Sequence, residues 1–110
     1  MERLTKNFDT LKVLSCCNKH KRNKILKDAD NELILSICEC IVNTLNGNVK
    51  FPPKIFNKLK KNKYIIRKIN KSRNNLKKTK KILIQQGGFL QYLLPAAVTL
   101  LTGIIERLSK

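Results

Sequence analysis

The chain has 110 residues and carries 24 Lys and Arg against 7 Asp and Glu, a formal net charge of +17. That length leaves room for one domain and excludes an ordinary two-domain enzyme. With aromatic residues at 5% and no Trp, any packed core must be small and mostly aliphatic.

The charge is concentrated in one block. Residues 50–81 hold 14 basic side chains and no acidic one, so they supply +14 of the total. Such a block repels itself and calls for a polyanion, either nucleic acid or an anionic membrane surface. The 4 Cys stand as Cys16-Cys17 and Cys38-x-Cys40, a pattern that implies no disulfide framework. The opening MERLTKNFDT lacks the apolar stretch of a signal peptide, so the expectation is a reduced, intracellular protein that is not secreted.

In chain order, Leu4, Phe8, Leu11 and Leu14 trace one face of a short helix that stops near Ser15. Residues 18–24, NKHKRNK, read as a polar loop. The strongest helix follows: Asp28, Asp30 and Glu32 set negative charge at its start, and Leu33, Ile34, Ile37, Ile41, Val42 and Leu45 recur at helical spacing. Asn46-Gly47 closes it, with Gly47 suited to a left-handed C-terminal turn, and residues 49–51 form a short extended connection to Pro52 and Pro53.

The spacing predicts a third helix over residues 53–70, with Ile55, Phe56, Leu59, Ile66 and Ile69 as its apolar stripe and lysines over the rest. Ser72 is the expected cap of a fourth helix carrying Leu76, Ile82 and Leu83. Gly87-Gly88 breaks that pattern, and residues 89–105 then run seventeen positions without a charge. About twenty apolar residues span a bilayer. This stretch is shorter and holds Pro95 and Gly103, so it reads either as the core helix of a small bundle or as a membrane-active or partner-binding tail. The expected fold is all-α: four or five short helices in a small bundle, with a basic amphipathic region and an apolar C-terminal helix. Its parts are an N-terminal helical segment (1–49), a basic nucleic-acid-binding region (50–86), and a Gly-Gly hinge with an apolar tail (87–110).

Catalytic machinery is not assembled by this inventory: there is one His, no acidic residue between Lys50 and Ile105, and no phosphate-binding glycine loop. The chain is therefore read as not an enzyme and as needing no cofactor. Nor is a metal expected. Adjacent helical residues such as Cys16 and Cys17 diverge by about 100°, and x-spaced ones such as Cys38 and Cys40 by about 200°, whereas zinc sites favour Cys-x-x-Cys turns.

The basic block has a more definite reading. A merely solvated face mixes signs, and this one does not, so its lysines point to phosphate neutralisation with counterion release. The candidate nucleic-acid-binding residues are Lys54, Lys58, Lys60, Lys61, Lys63, Arg67, Lys68, Lys71, Arg73, Lys77, Lys78, Lys80 and Lys81. Lys outnumbers Arg, which argues against sequence-specific readout. Stacking on single strands needs aromatics among the charges, and only Tyr64 and Phe56 qualify, the latter expected in the core. Residues 77–81 and 20–24 also read as nuclear-import patches.

The order of a Lys/Arg-rich body, then Gln86-Gly87-Gly88-Phe89-Leu90, then LLPAAVTLLTGIIERL resembles the adenovirus core protein X family, the precursors of the DNA-condensing mu peptide. The stretch from Ile37, ICECIVNTLNGNV, and the later LKKTKKILIQQGGFL are similar to small proteins of adenovirus-like mobile elements, the Polinton or adintovirus type. The likeness covers about residues 33–107 of this sequence. It implies a viral-type core or minor capsid component that binds and condenses nucleic acid, DNA favoured, in the nucleus or virion. It also implies a protease-processing junction at Gly87 and Gly88. Two departures stand out: Gln85 occupies a place where the family's protease prefers an aliphatic residue, and lysine replaces arginine.

The alternative expectation is a membrane-active or capsid-docking protein acting through Phe89, Leu90, Tyr92, Leu93, Leu94, Leu100 and Leu101. Its partners would be capsid proteins or an anionic membrane. Charge repulsion also predicts that residues 54–81 gain helicity when salt or a polyanion is added.

Overall fold

The computed structural model of the chain describes residues 6–45 and 51–108, and within them not the side chains of Thr44, Leu45, Leu100, Leu101, Ile104, Ile105, Arg107 and Leu108. Regular structure among the described residues is helical throughout: α1 (Phe8–Cys16), α2 (Lys19–Lys27), α3 (Asn31–Leu45), α4 (Pro53–Lys61), α5 (Lys63–Ser72), α6 (Leu76–Gln86), a 3-10 turn (Gly87–Phe89) and α7 (Leu90–Leu108). Asn62 alone separates α4 from α5. Its side-chain Nδ2 donates to the Lys58 carbonyl at 2.9 Å, a local bond that competes with the helical ladder and breaks it. Counting that pair as one broken helix, the described chain has six helices where four or five were expected.

The additional helix is α2, which occupies most of the segment expected to be a loop. Asn18 Oδ1 accepts from the Lys21 N–H at 2.8 Å and so caps it. Lys and Arg are good helix formers, and Leu26, fully buried, anchors the helix to the core. Dense charge was therefore no loop signal. At the next junction Asp30 Oδ1 accepts from the Leu33 N–H at 2.9 Å and so caps α3, within the acidic run expected at its start. The closure expected at Gly47 and the extended residues 49–50 lie outside the described residues. Pro53 opens α4 at the position that tolerates proline.

Ser72 does not cap α6. It ends α5, and Asn75 caps α6 by accepting from the Lys78 N–H at 3.3 Å. The Ser72 hydroxyl instead lies buried 2.8 Å from that of Thr79, whose Oγ1 also bonds the Ser72 carbonyl at 2.8 Å. This satisfied polar pair ties α5 to α6.

One aliphatic core draws on all three stretches of the chain: Leu11, Leu14 and Leu26, then Ile34, Ile37 and Ile41, then Leu59, Ile66, Ile69 and Leu83, and finally Phe89, Leu90, Leu93 and Leu94. Helix α7 packs along α1 and α3 and also touches α4. Fully burying four side chains the size of Phe89, Leu90, Leu93 and Leu94 yields about 6–12 kcal/mol as an upper bound. That rivals the whole net stability of a small domain, roughly 5–15 kcal/mol, so α7 is a structural necessity. Of the two readings of the apolar run, this is the core helix. No helix of the described residues is long and apolar enough to cross a membrane.

Candidate nucleic-acid interface

Helices α4, α5 and α6 each turn a narrow apolar stripe inward, with Leu59, Ile66, Ile69, Ile82 and Leu83 buried. At helical period the remaining positions must face outward, and in this block those are mostly cations. Of the thirteen candidate binding residues, eleven are exposed: Lys54, Lys60, Lys61, Lys63, Arg67, Lys68, Lys71, Arg73, Lys77, Lys78 and Lys81. Lys60 and Lys63 flank the Asn62 break, and Arg67 follows Lys63 one turn on along α5.

The other two candidates are turned to internal use. Lys58 is half-buried, its ammonium 4.7 Å from the centroid of the Tyr92 ring, which joins α4 to α7 by a cation–π contact. Lys80 donates to the Ala29 carbonyl at 3.0 Å and so fastens α6 to the connection between α2 and α3.

The structure adds residues that sequence reasoning assigned elsewhere. Helix α2 packs on α6, and its Lys19, Lys21, Lys24 and Lys27 are exposed, extending the positive surface. Phe56, expected in the core stripe, is 56% exposed, and Tyr64 is 79% exposed. Phe56 lies one turn from Lys60, and Tyr64 one turn from Arg67 and Lys68, so each aromatic face sits beside cations. The break at Asn62 explains the miss: the expected stripe assumed one uninterrupted helix, and a short α4 buries Leu59 fully and Ile55 in part.

The other candidate residues fall inside the molecule. Phe89, Leu90, Leu93 and Leu94 are buried, and Tyr92 is half-buried against Lys58, so in this conformation they are not presented as a membrane or partner contact. The side chains of Leu100 and Leu101 lie outside the described residues. Gly87 is buried and Gly88 exposed, both in the 3-10 turn that leads into α7. The chain there continues in helical geometry instead of opening as a hinge.

Among the described residues no three His, Cys, Asp or Glu side chains converge on a common point. Cys38 and Cys40 are core residues. Burial pushes the Cys40 thiol up to about 12, reinforced by the charge of Glu39 and by Cys38. Burial raises the Cys38 thiol as well, against the opposing pull of Arg73. Cys16 is exposed.

Comparison with protein-family models, with curated protein sequences and with solved structures gave no match.

Proposed function

We propose that this protein binds nucleic acid, DNA above all, through its phosphates and without sequence preference. The observation that carries the reading is the exposed surface of α4, α5 and α6, where eleven cations face solvent and residues 50–81 contain no acidic side chain to offset them. Long, flexible lysines neutralise phosphates as point charges and do not select bases. Condensation follows from the same property, since a compact cation of this charge bridges neighbouring strands. The resemblance in the ordering of basic body, Gly-Gly and apolar segment supports a role as a viral-type core or minor capsid component, in the virion or nucleus. Exposed Phe56 and Tyr64 beside Lys60, Arg67 and Lys68 supply stacking faces, which favour unpaired bases in addition to duplex.

The test is a salt titration of affinity for duplexes of unrelated sequence. Affinities equal across sequences and falling by about a thousandfold or more between roughly 50 and 200 mM salt are expected. An affinity indifferent to salt overturns the proposal.

A further inference from the structure

Arg22, on α2, is 6% exposed, and its Nε has no hydrogen-bond partner. A guanidinium nitrogen buried without a hydrogen-bond partner is unfavourable, so it is retained beside a place for one. The place exists. Arg22 lines a cavity of about 420 Å³ where α2 meets the end of α6 and the 3-10 turn, a size within the range of small-ligand pockets.

The lining is chemically divided. Lys19, three residues before Arg22 on the same helix, brings a second positive charge to the cavity, and Gln91 brings a carboxamide. Ile65 and Ile84 form an apolar wall. Gly87 lies against the arginine, since a methyl group there would stand 4.0 Å from Nε. At Gly88, also in the lining, an added Cβ would meet nothing within 4 Å, so a larger side chain has room there.

We propose that this cavity binds a phosphomonoester, with its phosphate on Arg22 and Lys19 and its organic part against Ile65 and Ile84. Two cations suit a dianion better than a single carboxylate, and the guanidinium fork matches phosphate oxygens. The space left after a phosphate is seated takes a sugar or base. The pocket shares Lys19 with the positive surface that α2 extends and Ile65 with α5, but buried Arg22 belongs to the pocket alone, so its failure leaves the nucleic-acid proposal standing. The phosphomonoester has two sources, a free nucleotide or the phosphorylated end of a strand.

The experiment measures thermal unfolding of the full chain with adenosine monophosphate, with adenosine, and with sodium chloride at matched ionic strength. In parallel, NMR follows the Arg22 Nε–H and the Gly88 amide. A saturable rise in midpoint with the monophosphate alone is expected, with both resonances moving along the same curve. Arg22→Met and Gly88→Leu should each weaken monophosphate binding about tenfold or more, the first by removing the charge-assisted bonds and the second by filling the room beside Gly88. Gly88→Leu also covers the case in which Arg22→Met does not fold, because its side chain enters open space. Equal stabilisation of wild type and Gly88→Leu, or resonances that follow chloride as they follow the monophosphate, would overturn the proposal by reducing the effect to surface lysines. Competition by a 5′-phosphorylated oligonucleotide but not by its 5′-hydroxyl counterpart identifies a strand end as the source. Competition by neither identifies a free phosphomonoester, and competition by both refutes the monoester assignment.

Discussion

Lys58 and Lys80 should behave differently from the other cations of the basic block, and the difference separates a folded binding surface from a simple polycation. A duplex meets one side of the molecule at a time, so we take roughly six of the exposed cations as engaged, each contributing about 0.9 to the slope of log affinity against log salt. That slope, about −5.4, corresponds to a fall of about 1,800-fold between roughly 50 and 200 mM salt. Replacing Lys60, Lys63 and Arg67 by Gln removes three exposed cations around the Asn62 break. The slope should then shrink to about −2.7, and the fall over the same interval to about fortyfold.

Replacing Lys58 and Lys80 by Gln removes nearly as much charge but should leave the slope within error of wild type. Their ammonium groups are committed to the Tyr92 ring and the Ala29 carbonyl. That variant should instead lose stability, about 2–3 kcal/mol from a cation–π contact and a charge-assisted hydrogen bond together. Fluorescence anisotropy with a labelled duplex reads the slopes, and thermal melts followed by circular dichroism read the stability. Equal slope changes in the two variants would refute the reasoning, because an unstructured polycation treats every lysine alike.

Substituting both Phe56 and Tyr64 by Ala should weaken single-strand binding by about 1–3 kcal/mol per stacked base, with little effect on duplex or on melting, as competition anisotropy will show. Leu93→Ala, at a fully buried position of α7, should cost about 2–5 kcal/mol in urea unfolding, and a loss below about 1 kcal/mol would contradict the packing. Between pH 9 and about 12 the unfolded chain releases the Cys40 proton while the folded chain keeps it, so stability should fall as pH rises through that window. In the same range a thiol reagent should modify Cys16 before Cys38 and Cys40, and early labelling of Cys40 would count against its burial. In dilute buffer, residues 54–81 should gain helicity on addition of salt or duplex, and a circular dichroism spectrum that is fully helical beforehand and unchanged by either would refute this.

The sequence was most legible where local chemistry and burial agree. Apolar spacing located α3, and the acidic residues before it contain its cap, Asp30. The same spacing found the inward stripes of the basic helices, because a residue such as Ile69 must be buried whatever surrounds it. Legibility failed where a decision rested on tertiary context. Helix α2 has few apolar residues and is held by Leu26 against partners far along the chain, which periodicity within the segment cannot register. Lys58 and Lys80 look like every other lysine until Tyr92 and Ala29 are brought to them. Arg22 belongs to the same class: it sits in a run of cations, and only the arrival of α6 and the 3-10 turn encloses it.

The 3-10 turn at Gly87–Phe89 also sets a clock. Proteases take their substrates extended, and here the residues flanking Gly88 are buried, Gly87 on one side and Phe89 on the other. A cut after Gly88 therefore has to precede folding or wait for the turn to open. Because the fragment released would begin with Phe89, Leu90, Leu93 and Leu94, all core residues, cleavage after folding would also remove the helix on which the remaining helices pack. If the chain is cut at this junction, the cut and the assembly of the bundle compete, and whichever comes first decides whether the lysines are displayed on a globule or on a loose basic peptide.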